Sequence, residues 1–388
     1  MARDERLECL RKIEDLRGSR VLAYVTGDRP PVQAQIGDDA VRPLITLLRE
    51  IGHAEQIDLF LYTRGGAIDV PWRLVRQLRQ RCDAWSVLIP FRANSAGTLI
   101  ALGADRIVLT KEGELGPIDP SMDIRRMVQS PDGQGTFVQD KISVEDVMAY
   151  VRFVGEQGGL SDQGPIAQAL IKLVDRVDPV ALGSVYRTHA HIRDVARRIL
   201  ASRKEPPNAE TQDKIVKTLA EHVYAHGHAI GFEAAEEVRL PIERAGDELD
   251  RVLWDLLEWY ETDLMTRSPV DPASVVRAQD VYTEPVILAV AESTQAAFEF
   301  AGDLEVKAKR NMPGELNITF NLQLQLPAGF DAAQASPGVQ GLMQQLVQQA
   351  QQAALQQVQP ALREALAAQA PLIGAEWGMR AGRWREVG

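Results

Sequence analysis

Apolar residues recur along this chain in two rhythms. Four short apolar runs, Arg20–Thr26, Ile57–Tyr62, Trp85–Phe91 and Arg106–Leu109, read as strands. Between them the spacing turns helical. Arg3 to Leu16 carries Leu7, Leu10, Ile13 and Leu16 on one face; Asp38 and Asp39 open a helix reaching Glu50; Val70 to Arg81 is amphipathic; Leu99 to Ala104 reads as a buried small-residue helix. Strand and helix in alternation predict an α/β fold with a parallel sheet. Gly27 to Gln35, with Pro30-Pro31, is a loop that either crosses the surface or lies over a groove.

Beyond Pro120 the pattern loosens. Ser130 to Gly135 is turn-rich, and Phe137 to Ile142 leads to Ser143 and Asp146, which approximate a capping box opening a helix through Phe153. Gly158 to Glu237 reads as mostly helical, with breaks at Pro179, Pro206-Pro207 and Gly227. Asp247 to Arg267 has the clearest stripe of all, through Leu249, Val252, Leu253, Leu256, Leu257, Tyr260 and Leu264. Composition changes after Ser268–Pro272, which divides the chain into an expected core domain, 1–268, and a C-terminal module, 269–388. Within that module Pro285–Ala291 reads as a short strand. Phe298–Lys309 and Gly314–Leu326 read as a hairpin turning at Asn311–Gly314, and Val339–Val358 reads as a Gln- and Ala-rich helix interrupted at Pro360. The uncharged glutamine face suits pairing between protomers. Trp377, Trp384, Arg380, Arg383 and Arg385 form an aromatic-basic tail, docked on a partner or disordered.

Composition narrows the function. With 388 residues, 45% of them hydrophobic, the chain is long enough for one large or two medium cores. Its net charge of -11 argues against general nucleic-acid affinity, which needs excess clustered Lys and Arg. No run approaches the length of a membrane helix, and residues 1–17 are charged rather than signal-like, so a cytoplasmic protein without a membrane anchor is expected. Cys9 and Cys82 lack metal spacing and read as reduced structural thiols. Neither a P-loop nor a ligand cluster is present in the sequence, so no cofactor and no metal are expected.

Parallel strands bring the turns after them together at their carboxyl ends, where α/β sheets build sites. Thr63-Arg64-Gly65-Gly66 follows one strand, and Arg92-Ala93-Asn94-Ser95-Ala96-Gly97 follows the next. Glycines let backbone approach a substrate carbonyl closely and aim N–H groups at it; Ser95, flanked by small residues, supplies a hydroxyl nucleophile. Capping the following helix is the commoner job of a serine in that position.

These turns, together with Gly116-Pro117-Ile118-Asp119-Pro120, resemble the serine dehydrogenase proteinase (SDH) family, a branch of the Clp/crotonase-fold serine peptidases related to ClpP and SppA. Tyr224-Ala225-His226-Gly227-His228-Ala229-Ile230 is similar to a His-Gly segment of that branch and departs from it at His228 and Ala229. The resemblance covers roughly 18–260. It implies a ClpP/crotonase-like α/β fold of stacked β-β-α units with helical additions, a peptide or protein substrate, and Ser95 with an oxyanion hole from the Gly65, Gly66 and Ala96 amides. It also implies a lysine base, kept neutral by burial. Lys141, 46 positions after Ser95 and beside Ile142, matches the lysine segment of SppA-type relatives. Lys111 in an exposed turn is the rival, and His226 is a further candidate. Asp119 is an accessory position or a turn former beside proline. His226 and His228 also fit structural or groove-lining roles, and His189 and His191 sit in an Arg-rich stretch, Arg187–Lys204, that reads as a solvated helix face or a docking surface. A homo-oligomer is expected, because helices outside such a core usually make protomer contacts. Two other classes remain: a catalytically silent scaffold recruiting a protein partner through the C-terminal module, and a crotonase-like acyl-CoA enzyme.

Overall fold

A computed structural model describes residues 2–118, 121–129, 135–154, 168, 171–174, 178–222, 229–311 and 334–387. By contacts the chain divides into two units. One comprises Met1–Val270, Glu284–Leu304 and Met379–Gly388; the other comprises Asp271–Thr283 and Glu305–Gly378.

The strands are β1 (Arg20–Thr26), β2 (Asp28–Arg29), β3 (Val32–Gln33), β4 (Ala54–Tyr62), β5 (Cys82–Ile89), β6 (Arg92–Ala93) and β7 (Arg106–Leu109). They continue with β8 (Glu114–Leu115), β9 (Ser121–Gln129), β10 (Gly135–Ser143), β11 (Ile242–Arg244), β12 (Val281–Ser293), β13 (Ala297–Arg310) and β14 (Leu372–Val387). Helices α1 (Ala2–Arg17), α2 (Val41–Ile51), α3 (Val70–Arg79), α4 (Ala96–Leu102) and α5 (Val144–Arg152) alternate with the early strands. Then follow α6 (Pro179–Ala201), α7 (Ala209–Lys217), α8 (Phe232–Glu237), α9 (Asp247–Asp263), α10 (Pro272–Ala278) and α11 (Pro337–Gln369). The result is a mixed α/β fold on an eight-stranded sheet, ordered β11-β7-β5-β4-β1-β12-β13-β14.

From β11 to β1 the strands run parallel. Parallel strands need cover on both faces, which is why their sequences are nearly continuous apolar runs. In β4, Ile57, Leu59 and Leu61 enter one core with Leu44, Leu74, Leu99 and Ile199; Phe60 and Tyr62 enter another, with Leu10 and Ile13 of α1 and Leu253, Leu256 and Tyr260 of α9. Alternate side chains on a strand point to opposite faces, so one run serves two cores. The stripe expected on α9 is buried in full, from Leu249 through Leu264. Cys82 is a free, buried thiol, pushed up to about 12 by desolvation, and Cys9 is free as well.

Beyond β1 the sheet departs from the sequence reading. The first unit takes Glu284–Leu304 and Met379–Gly388 out of the stretch expected to form a separate C-terminal module. The reason is strand pairing: β12 runs antiparallel against β1, with Leu22 opposite Ser293 and Thr26 opposite Ala289. The aromatic-basic tail is the edge strand β14. Its Trp384 sits 6.4 Å from Tyr24 and 5.6 Å from Phe300, ring centroid to centroid, and donates its indole N–H to Asp39 Oδ2 at 3.0 Å. β13 is flanked by β12 and β14, and its expected hairpin partner, 314–326, lies outside the described residues. The loose stretch after Pro120 contains an antiparallel ribbon in which β9 and β10 pair from Ser121 opposite Ser143 to Gln129 opposite Gly135. Backbone pairing alone defines such a ribbon, and its mixed polar and apolar positions leave no clear period. In the second unit, α11 continues through Pro360, and Arg310 donates to the Ala370 carbonyl at 2.8 Å and pairs with Asp280.

The second core holds a buried ionic knot. Arg6 of α1 donates through Nε to Glu292 Oε1 of β12 at 2.7 Å and also pairs with Asp263 of α9; the Tyr260 hydroxyl donates to the same Glu292 oxygen at 2.5 Å. Arg6 is 2% exposed and Glu292 is fully buried. Burial works against the Arg6 charge, and Glu292 more than compensates, raising its pKa; burial and then Glu292 push the Tyr260 phenol up. Removing one partner strands a charge in a low-dielectric interior. Arg6→Met is therefore expected to destabilise the chain by about 3–5 kcal/mol, measured as a lower midpoint in urea denaturation.

Candidate active site

β4 and β5 are adjacent and parallel, and the turns that leave their carboxyl ends are stitched together by backbone. Thr63 N donates to Arg92 O at 3.1 Å, and Asn94 N donates to Thr63 O at 3.0 Å. The Gly-Gly turn and the serine turn thus lie side by side.

Ser95 precedes α4 with φ 51° and ψ -111°, a left-handed φ that costs a residue with a Cβ on the order of 1–3 kcal/mol. It makes no side-chain capping bond, although its carbonyl accepts from Leu99 N at 3.0 Å. Capping is therefore not what its hydroxyl does. The strained backbone is held from the other side by Gly65, whose φ is 107°. A Cβ at 65 would stand 2.7 Å from Ser95 Cβ, 2.8 Å from Asn94 O and 3.2 Å from Ala96 N. Gly66, at φ 156°, presses against the Ile36 backbone, where a Cβ would overlap the peptide. Ile36 N donates to Gly65 O, and Ala67 N donates to Ile36 O, both at 2.8 Å, so the turn is bridged to the chain leaving β3.

One expected donor is already engaged. The Gly65 amide donates to Thr63 Oγ1 at 3.0 Å, and that oxygen also bonds Thr26 Oγ1 at 2.9 Å. This corrects the three-amide reading, because an N–H held by a threonine hydroxyl does not face an incoming oxyanion. The Gly66 and Ala96 amides have no hydrogen-bond partner among the described residues. Gly65 contributes space, and the Gly66 and Ala96 N–H groups remain without acceptors among the described residues.

A buried carboxylate ties the two turns to each other. Asp28 of β2, whose side chain is 3% exposed, accepts at Oδ2 from the Tyr62 hydroxyl at 2.8 Å and from Arg64 Nε at 3.1 Å, and Arg92 Nη1 lies 3.6 Å from the same oxygen. Arg64 immediately precedes Gly65, and Arg92 lies three residues before Ser95. Arg92 also covers the Phe91 ring at 4.0 Å, and Phe91 stacks on Tyr62. Burial, then the Asp28 charge, raises the Tyr62 phenol. Sequence reasoning missed Asp28, Arg64 and Arg92. Their only mark there was an arginine ahead of each turn, which means little without the shared acid.

The other expected residues fare differently. Asp119, His226 and His228 lie outside the described residues, and of Lys141 only the backbone is described, in β10 opposite Asp123. Ile230, at the end of the His226 segment, exchanges backbone bonds with Leu115, and β8 in turn pairs with β6 beside Ala93. Lys111 is on an exposed turn with its Nζ 3.3 Å from Asp247 Oδ1. The Arg-rich stretch is not a wholly solvated face. α6 buries Ile192, Val195, Ala196, Ile199 and Arg193, and His191 Nε2 meets Asp69 Oδ1 at 2.7 Å, three residues after Gly66. Among the described residues no group of three His, Cys, Asp or Glu is placed to hold a metal ion, and no helix is long and apolar enough to cross a membrane.

Comparison with known proteins adds the following. Two uncharacterized proteins of Methanocaldococcus jannaschii are similar. MJ1495 is 32% identical over 124 residues, covering 30% of this chain and 42% of that protein. MJ0137 is 23% identical over 272 residues, covering 69% of this chain and 82% of that protein. This chain thus spans under half the length of the first. Among solved structures, a mutant of the 1510-N membrane-bound stomatin-specific protease in complex with a substrate peptide is 22% identical, covers 36% of this chain and 61% of its own, and superposes with a TM-score of 0.23. A putative enoyl-CoA hydratase from Streptomyces avermitilis is 16% identical, covers 64% and 88%, and reaches a TM-score of 0.20. Superpositions that weak carry no argument in either direction. A family model matches residues 1–130, a span that contains Gly65, Gly66, Ser95 and Ala96 and stops short of Lys141 and His226. That family model describes the ClpP-like SDH-type serine proteinases, and over those residues this chain is similar to them.

Proposed function

We propose that this chain hydrolyses peptide bonds through Ser95. The observation that carries the reading is the approach of the glycine turn to a strained serine: Gly65 leaves no side chain between itself and Ser95, and Ser95 holds a left-handed φ that serves no capping bond. Strain retained at a nucleophile, beside amides without partners among the described residues, supports acyl transfer. In this reading Ser95 Oγ attacks the scissile carbonyl, and the N–H groups of Gly66 and Ala96 donate to the oxyanion as it forms. Lys141 accepts the serine proton and returns it to the leaving amine; a water then attacks the acyl-enzyme, and the hydroxyl is restored. Asp28 keeps the two turns in register through Arg64 and Arg92.

For partners we propose a second copy of the chain, met along α11. No charged residue occurs from Pro337 to Leu362, and Val339, Leu342, Leu346 and Val358 are exposed on it.

Labelling with a fluorophosphonate probe and mass spectrometry of the adduct test the chemistry. The wild type is expected to be modified at Ser95, and Ser95→Ala and Lys141→Ala to remain unmodified; full labelling of Lys141→Ala would move the base elsewhere, with His226 next. Turnover of a peptide substrate is expected to fall roughly 10³-fold or more in Ser95→Ala. Asp28→Asn retains the shape of the acid but loses its charge, so kcat is expected to fall about tenfold or more with an unchanged circular dichroism spectrum. If kcat is unchanged, Asp28 has no positioning role.

A further inference from the structure

Away from the serine, at the amino ends of the same strands, burial and pairing disagree. A cavity of about 340 Å³ opens there, lined among others by Gln56 near the start of β4, Ser86 of β5, Arg106 at the first position of β7, and Arg203, Lys204 and Glu205 just beyond α6. Arg203 is only 8% exposed. Its Nε donates to Leu102 O, the end of α4, at 2.7 Å, whereas its buried Nη2 has no acceptor among the described residues.

The nearby acid does not satisfy it. Asp105 is held by Arg79 through both oxygens, at 2.6 and 2.7 Å, and also accepts from Trp85 N and Lys204 N, each at 3.0 Å. Its acceptor capacity is taken, and Arg79 repels the second guanidinium. Burial first, with Arg79 adding to it against Asp105, lowers the Arg203 pKa to about 10. Asp105 lines the cavity as well; with its charge paired to Arg79, the lining leaves Arg106, Arg203 and Lys204 against Glu205. A chain of net charge -11 has concentrated surplus positive charge in one cavity.

We propose that this cavity is a binding site for a phosphoryl group, held by Arg106 and Lys204 at the rim and drawn in by the charge of the buried, incompletely paired Arg203 guanidinium that lines it. A planar fork and an ammonium suit tetrahedral phosphate oxygens, and a charge-assisted bond is strongest to a donor already stripped of water. The site stands at the opposite end of the strands from Ser95 and rests on no part of the peptidase reading.

Isothermal titration of the full chain with inorganic phosphate, and separately with adenosine monophosphate, tests it at constant ionic strength in chloride. One saturable site is expected. Tighter binding of the monophosphate assigns a phosphomonoester ligand, and equal binding assigns free phosphate. Because Arg203 also caps α4, Arg203→Met is read only with its circular dichroism spectrum. The exposed pair Arg106→Ala with Lys204→Ala leaves the core untouched and is expected to weaken binding about tenfold or more. No saturable binding of either probe, or equal affinity in that double variant, overturns the proposal.

Discussion

A methyl group at position 65 would meet Ser95 Cβ at 2.7 Å and the Asn94 carbonyl at 2.8 Å. That missing volume is the constraint on which the candidate site depends, because it sets how closely the two turns approach. The approach in turn requires β4 and β5 to end side by side, which only parallel pairing gives. Parallel pairing requires two covered faces, and these are the two cores that divide each strand's side chains between α2, α3, α4 and α6 on one side and α1 and α9 on the other. The gap at Gly65 and the packing of the sheet are thus one problem.

Apolar strands carry little directional information, and buried acids supply it here. Asp58, fully buried in β4, takes Arg17 and, at 2.8 Å, the Ser19 hydroxyl, fixing the junction between α1 and β1. Glu292 anchors the antiparallel β12 to α1 and α9 through Arg6 and Tyr260. Asp28 gathers the flanks of both turns at the carboxyl ends, and Asp105 gathers Arg79 and the Trp85 and Lys204 backbones at the amino ends. Each pairing spans elements far apart in sequence. A slipped register would leave a charge buried without its partner, at a cost of several kcal/mol.

The two ends of the sheet are electrostatically different as a result. At the carboxyl ends the arginines Arg64 and Arg92 converge on one buried acid, and the amides of Gly66 and Ala96 are left without partners among the described residues. At the amino ends Asp105 is already saturated by Arg79 and two backbone amides, and Arg203 keeps a donor unmatched among the described residues. Short helix α4 connects the two, from Ser95 at its start to Leu102, whose carbonyl Arg203 holds.

Local pattern determined much of this. The continuous apolar runs marked β1, β4, β5 and β7, and the period-3.6 stretches marked α1, α3 and α9, to within a few residues, because burial of a regular element leaves a local trace in the chain. The glycine pair and the serine turn were legible for the same reason: backbone that must adopt positive φ or approach closely limits which residues stand there. Tertiary structure alone decided the rest. Trp384 and the surrounding tail became an edge strand, and 284–304 joined the main sheet, since strand pairing joins residues hundreds of positions apart and leaves no local period. The Gly65 amide went to Thr63, and Asp28 claimed Arg64 and Arg92, because hydrogen bonds and buried ion pairs depend on distances in space. Sequence fixes which groups exist; only the fold decides which of them meet.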